Sequence, residues 1–129
     1  MGGRTWRPRQ TATPYQALLT ARFEQLQELL SDFPGIREKP LRRGLSYRYG
    51  DRVVFALSRR PRVILLEMKL TEFEADKALR MPHVRPHSFT RLARTGWITV
   101  AIRPETPLER IRELGDQSYA LRIESAVLS

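Results

Sequence analysis

The 129-residue chain contains no cysteine and no long apolar run. Without cysteine it cannot form disulfide bonds, carry a cysteine nucleophile or build a zinc site from thiolates. No stretch approaches the roughly 20 apolar residues that cross a bilayer, and no apolar segment follows the N-terminal arginines as it would in a secretory signal. These absences predict a cytoplasmic protein that does not enter a membrane.

Acidic residues are scarce as well. The chain has 14 acidic residues against 23 basic ones, of which 20 are arginine, so the net charge is +9. The positive charge lies in three blocks: residues 1–14 carry +3, residues 37–62 carry +7 and residues 80–94 carry +4. Such clustering indicates an anionic partner, most often nucleic acid. An arginine-rich composition with no binding role is the alternative.

His83 and His87 are four residues apart, the spacing that places two metal ligands on one face of a helix. A proline directly precedes each histidine, however, and the second proline would interrupt the helical turn that the site requires. No carboxylate lies between residues 77 and 104 to complete a ligand set. The sequence therefore predicts two loop imidazoles, partly exposed, and no metal.

Signals for catalysis are missing too. Ser88 adjoins His87, but no Gly-x-Ser-x-Gly elbow surrounds it. Carboxylate pairs such as Glu72 with Asp76 have the spacing of residues on a helix surface that pair with nearby bases. No glycine-rich phosphate loop is present either. We expect neither an enzyme nor a bound cofactor.

Apolar periodicity and turn residues predict one α+β domain over residues 15–129, preceded by a flexible basic arm over residues 1–14. The first helix has Thr13 as its N-cap and ends before Pro34. Residues 118–129 are expected to form one more helical turn or an edge strand. The other predicted elements are strands over 45–49, 52–58, 62–70 and 96–103, a helix from Thr71 to Arg80 and a helix from Thr106 to Gly115.

This order, α-β-β-β-α-β-α, predicts a four-stranded antiparallel sheet with the helices packed on one face. Because side chains alternate along a strand, we expect Val53, Phe55 and Leu57 to share the face that meets the helices. The opposite face is expected to be half polar and to carry Trp97.

Five short segments stand out by their order and spacing: LSDFPGI (30–36), LSYRYGDRVVFAL (45–57), ILLEMKL (64–70), RTGWITVAI (94–102) and DQSYALR (116–122). Together they resemble the MmcQ/YjbR-like family. Its recurring features are a Phe-Pro-Gly after the first helix, a hairpin with a glycine turn, a strand that opens on tryptophan and a closing Ser-Tyr-x-Leu. Members often have lysine or histidine directly before that tryptophan, where this chain has Gly96.

The resemblance implies the α/β fold of that family, which is described as a double wing and likened to DNA-binding modules. It implies no established catalysis and no cofactor. A second family of small basic proteins, called luciferase-like, ends in a comparable arginine-rich strand and tyrosine motif and stays an alternative.

The basic residues that have no acidic neighbours form the candidate site. Guanidinium groups bind phosphate through two parallel hydrogen bonds, and an aromatic ring can stack on a base. We expect a small non-enzymatic module that contacts the phosphates of DNA or RNA through the arginine-rich hairpin turn and loop, with little sequence selectivity. The alternatives are an interaction domain for an acidic protein and an enzyme that uses the outer face of the sheet. The candidate nucleic-acid-binding residues are Arg48, Arg52, Arg59, Arg60, Arg62, Arg80, Arg85, Arg91, Arg94 and Trp97.

Overall fold

The structure is a computed structural model and describes residues 13–128. Most of the basic arm predicted over residues 1–14 lies outside the described residues. The described chain contains four helices and one sheet of six strands. Within this range, none of the helices combines the length and the apolar character needed to span a bilayer.

Helix α1, Pro14–Ser31, begins where the sequence predicts. The Thr13 hydroxyl oxygen accepts a hydrogen bond from the backbone N–H of Gln16 at 3.1 Å. Pro14 occupies the first turn, where its missing N–H would have had no partner within the helix. The helix ends at Ser31, three residues before Pro34.

All six strands belong to one antiparallel sheet, with the order β1-β2-β3-β4-β6-β5 from edge to edge. Strands β1 to β4 follow one another along the chain as a meander, and β6 then pairs with β4 and β5. The strands are β1 Ile36–Leu41, β2 Gly44–Tyr49, β3 Arg52–Arg59, β4 Ile64–Lys69, β5 Val84–Pro86 and β6 Trp97–Ile102.

The prediction of a four-stranded sheet is wrong, because the sequence reading misses both edge strands. Five of the six residues of β1 are exposed. Such a strand carries charged residues on both faces and lacks the apolar alternation that reveals a strand. Strand β5 has only three residues and ends at Pro86. The antiparallel pairing and the α+β class agree with the prediction.

Two helices flank the short edge strand β5. Helix α2, Glu72–Ala78, begins with the predicted capping box: the Thr71 hydroxyl oxygen accepts from the Glu74 backbone N–H, and the Glu74 carboxylate accepts from the Thr71 backbone N–H. Helix α3, Thr90–Ala93, is a single turn that the sequence reading does not predict.

Helix α4, Leu108–Leu128, is much longer than predicted. The prediction that it ends near Gly115 is wrong. A Cβ atom at Gly115 would lie 3.4 Å from the Phe33 ring and 3.9 Å from the Phe55 ring. Gly115 therefore lies inside α4 beside two aromatic rings, and the helix continues through it into the last predicted segment.

The core lies between one face of the sheet and the helices. Phe55, Leu66 and Val100 have no exposed surface on the strands, and Leu19 and Ile111 have none on the helices that cover them. Helix α2 adds two small residues to the same core. The further buried apolar residues are Leu26, Leu29, Leu30, Tyr47, Val54, Leu57, Ile64, Met68, Leu70, Ala75, Ala78, Val84, Ile98, Ile102 and Leu114.

A β-bulge changes the face on which one predicted core residue lies. The register between β2 and β3 shifts after Tyr47, so that Tyr47 pairs with Phe55 while Arg48 pairs with Val53. Residues opposite each other share a face, and Val53 therefore lies on the face of Arg48, not on that of Phe55. Val53 is partly exposed, and Val54 is the buried valine. The prediction that Val53 shares the core face is wrong because one extra residue on β3 breaks the alternation.

Candidate functional site

The face of the sheet that points away from the core is called the outer face here. On β4 and β6, buried residues alternate strictly with partly exposed ones. The register continues this outer-face position across all six strands in one row, in which every member except the buried Ser46 is partly exposed or exposed. This row contains Lys39, Ser46, Ala56, Glu67, Thr99 and Arg85.

The outer face is strongly basic. Lys39 and Arg85 lie at the two ends of the row just described, on the two edge strands. Nearer the start of β6, Arg48 pairs with Arg37 and Lys69 pairs with Trp97. Like charges directly opposite each other in a sheet repel. An anion on this face would lower that repulsion.

Glu67 is the only carboxylate on the outer-face strand positions of the described chain, and it is already engaged. Its Oε2 atom lies 3.3 Å from Nε2 of His87. Nδ1 of His87 accepts a hydrogen bond from the backbone N–H of Phe89 at 3.0 Å. A nitrogen that accepts carries no proton, so Nε2 bears the hydrogen and donates it to Glu67. Glu67 therefore accepts a hydrogen bond from His87.

The two histidines differ from the sequence-based expectation in their burial. His87 is only 8% exposed, and its ring meets that of Trp97 edge-on at 6.1 Å. The prediction that His87 is a partly exposed loop imidazole is therefore wrong. His83 is partly buried, and its Nε2 atom has no hydrogen-bond partner within the described residues. Across residues 13–128, no group of three or more potential ligands is arranged to hold a metal.

The predicted arginines do not lie in one place. Arg48, Arg85 and Trp97 lie on the outer face, as the register above shows. Three more are exposed on the segments that flank the edge strand β5. These three are Arg80, Arg91 and Arg94.

A second group lies in the turn between β3 and β4, at the far end of the sheet from Trp97. Arg60 and Arg62 are exposed there. Arg59 instead donates to Thr20 Oγ1 and to Gln16 Oε1, each at 2.9 Å. Arg59 therefore ties the turn to α1, and fewer of its donors are free for a ligand.

Arg52 and Arg122 form a third location, where β3 begins. Arg122 donates through Nε and Nη2 to the backbone oxygen of Val53, at 3.1 and 3.0 Å. Its guanidinium carbon lies 5.5 Å from the centre of the Trp97 ring. Burial and the neighbouring Arg52 guanidinium lower the pKa of Arg122. Arg52 reaches Ser125 on α4.

Four functional candidates escape the sequence reading. Arg37 and Lys39 belong to the unrecognised strand β1, although their spacing of two residues indicates one face of a strand. The same alternation predicts that Lys69 lies on the outer face, but Lys69 was not among the predicted binding residues. Arg122 gives no local signal, because it reaches Trp97 only through the packing of α4.

Neither the protein-family models nor the curated proteins give a match to the chain. Among solved structures, the chain is similar to the Deinococcus radiodurans protein DR2400, which carries a domain described as DUF419. The likeness covers 76% of this chain and 75% of that chain, with 18% sequence identity and a TM-score of 0.62. At this identity the likeness concerns the fold alone, a small α/β fold.

Proposed function

We propose that the chain is a small non-enzymatic nucleic-acid-binding module that contacts phosphates through the outer face, with little sequence selectivity. The observation that carries this proposal is the charge balance of that face. Five cations, namely Arg37, Lys39, Arg48, Lys69 and Arg85, accompany a single carboxylate that is hydrogen-bonded to His87.

The chemistry of these side chains suits a phosphate backbone. Guanidinium groups match phosphate oxygens with two parallel hydrogen bonds, and lysine adds a mobile point charge. Contacts to phosphate hold the protein on the nucleic acid but read no bases. Trp97 is the one aromatic side chain among the outer-face strand positions of the described chain. Its ring is partly exposed although Arg122 lies over it, and we infer that the ring contacts a base.

We also propose that the chain is a member of the MmcQ/YjbR-like family, to which DUF419 is related. Three of the family's motifs meet in the structure. The Tyr119 hydroxyl donates to the backbone oxygen of Pro34, and the rings of Tyr49 and Tyr119 meet edge-on at 6.4 Å. Gly35, with a φ of 77°, lies so close to Tyr49 that a Cβ atom would be 2.7 Å from its ring. These motif residues support the fold and leave the outer face free to carry function.

A binding assay with matched variants tests the proposal. The outer-face variant combines Arg37→Gln, Lys39→Gln and Arg85→Gln, three exposed residues on the edge strands. The helix variant combines Lys77→Gln, Arg110→Gln and Arg112→Gln, which removes the same charge from exposed positions of the helices. Fluorescence anisotropy with a labelled single strand and its duplex gives the affinity, and thermal denaturation confirms that both variants fold.

We expect the outer-face variant to bind on the order of a hundredfold more weakly than the parent in 0.1 M salt, because each of the three lost phosphate contacts removes about 0.7–0.9 of a decade of affinity there. The helix variant should change affinity far less. Equal losses in the two variants would contradict the proposal. Tight binding of an acidic polypeptide, combined with no binding of either oligonucleotide, would favour the acidic-protein alternative.

A further inference from the structure

Two arginines connect β3 to the C-terminal half of α4, and each contacts the other element. Arg122 on α4 donates to the backbone of Val53 on β3, while the neighbouring residue on β3, Arg52, reaches back to Ser125 on α4. Ser125 is three residues after Arg122, so the two side chains lie on the same side of the helix. These contacts place the two guanidinium groups near each other, with Arg122 fixed by two hydrogen bonds and Arg52 by one long contact.

No acidic side chain forms an ion pair with either arginine in the described part of the chain. Both arginines are partly exposed. Two like charges at short range repel each other, and the repulsion is stronger in partly buried surroundings than in water. The pair therefore gains from an anion placed between them.

The N–H groups of Arg52 and Arg122 that make none of these contacts are suited to bind such an anion. The Nη1 atom of Arg122 is not used in the bonds to Val53, and Arg52 uses one nitrogen in a long contact of 3.5 Å with Ser125. A contact at that distance is weak, so the Arg52 side chain is able to turn toward a ligand without losing a strong bond.

We propose that Arg52 and Arg122 form a binding site for a phosphate group. A tetrahedral phosphate accepts from two guanidinium groups at once, and bonds of this charge-assisted kind are about twice as strong as neutral ones. The phosphate comes either from the backbone of a nucleic acid or from a free phosphate ion. The site lies at the end of the sheet and includes none of the five outer-face cations. It therefore goes beyond the proposed function.

The fluorescence of Trp97 can report phosphate binding at this site. The chain has two tryptophans, and Trp6→Phe leaves Trp97 as the only one. Because the Arg122 guanidinium lies over the Trp97 ring, a phosphate that binds this group should change the emission of Trp97. Inorganic phosphate is titrated into the Trp6→Phe protein, with sodium chloride at equal ionic strength as the reference.

We expect a saturable change of emission with phosphate and none with chloride. Arg52→Gln should weaken the apparent phosphate affinity by about tenfold, the effect of losing hydrogen bonds to a charged group. Arg62→Gln, at an exposed turn position, is the matched control and should leave that affinity unchanged. Arg52 is chosen for substitution because Arg122 also binds the backbone of β3 and its loss could disturb folding.

An equal response to chloride, or equal behaviour of Arg52→Gln and Arg62→Gln, would overturn the proposal. The outer-face variant separates it from the proposed function, because that variant should keep the phosphate response in full. A labelled single strand then identifies the source of the phosphate. Weaker strand binding by Arg52→Gln assigns the site to the nucleic-acid backbone, and unchanged strand binding assigns it to a free phosphate ion.

Discussion

On β4, Leu66 and Met68 have no exposed surface, whereas their neighbours Glu67 and Lys69 are partly exposed. On β6, buried Val100 likewise alternates with partly exposed positions. The two faces share every backbone hydrogen bond, so the difference between them lies in the side chains alone. The helices cover one face and require apolar residues there. The outer face does not need apolar residues for this packing, so charged residues there cost little stability.

This difference has a direct consequence for the cations. A charge on the helix-covered face would lose its hydration without gaining a partner, at a cost of several kcal/mol. On the outer face, Arg37, Lys39 and Arg85 keep their hydration until a ligand replaces it. Variants on the two faces should therefore separate loss of folding from loss of binding.

The largest effect is expected from Phe55→Ala. Phe55 has no exposed surface and packs against Phe33 at a ring distance of 5.4 Å. Removal of a buried phenyl ring should lower the free energy of unfolding by about 3–5 kcal/mol. Thr99→Ala, on the opposite face of the sheet, should lower it by less than about 1 kcal/mol. Urea denaturation of both variants measures the contrast, and similar losses would show that the outer face is not free of packing demands.

A smaller effect is expected from Trp97→Ala. Because Trp97 is partly exposed on the outer face and not sealed in the core, its removal should lower the free energy of unfolding by about 1–2 kcal/mol, part of the value for full burial. Part of this loss comes from the contact with Arg122. A loss of about 3–5 kcal/mol would instead identify Trp97 as a residue that closes the edge of the core.

Features set by neighbouring residues were predictable from the sequence. The N-cap at Thr13, the capping box at Thr71 and Glu74, and the hairpin turn at Gly50 (φ 62°) depend on contacts within a few residues. Features set by distant partners were not predictable. The edge strand β1 is fixed by its pairing with β2 and by the hydrogen bond from the Tyr47 hydroxyl to Glu38, and α4 continues past Gly115, where it packs beside the distant Phe33 and Phe55 rings.

The same limit applies to the candidate site. Arg48, Arg85 and Trp97 were named because their charge or ring is visible in the sequence, and the register then places them on one face. Arg59 was named for the same reason, yet its donors are engaged by α1. The sequence shows which residues are charged, but it does not show which group each of them contacts in the fold.

The salt dependence of nucleic-acid binding tests the central claim most directly. If the five outer-face cations contact phosphates, a plot of log affinity against log salt should have a slope of about −4. The variant with Arg37→Gln, Lys39→Gln and Arg85→Gln should flatten this slope by about two to three units. Arg60→Gln combined with Arg62→Gln, in the turn between β3 and β4, should change it by less than about one unit. A turn variant that flattens the slope as much as the outer-face variant would contradict the account.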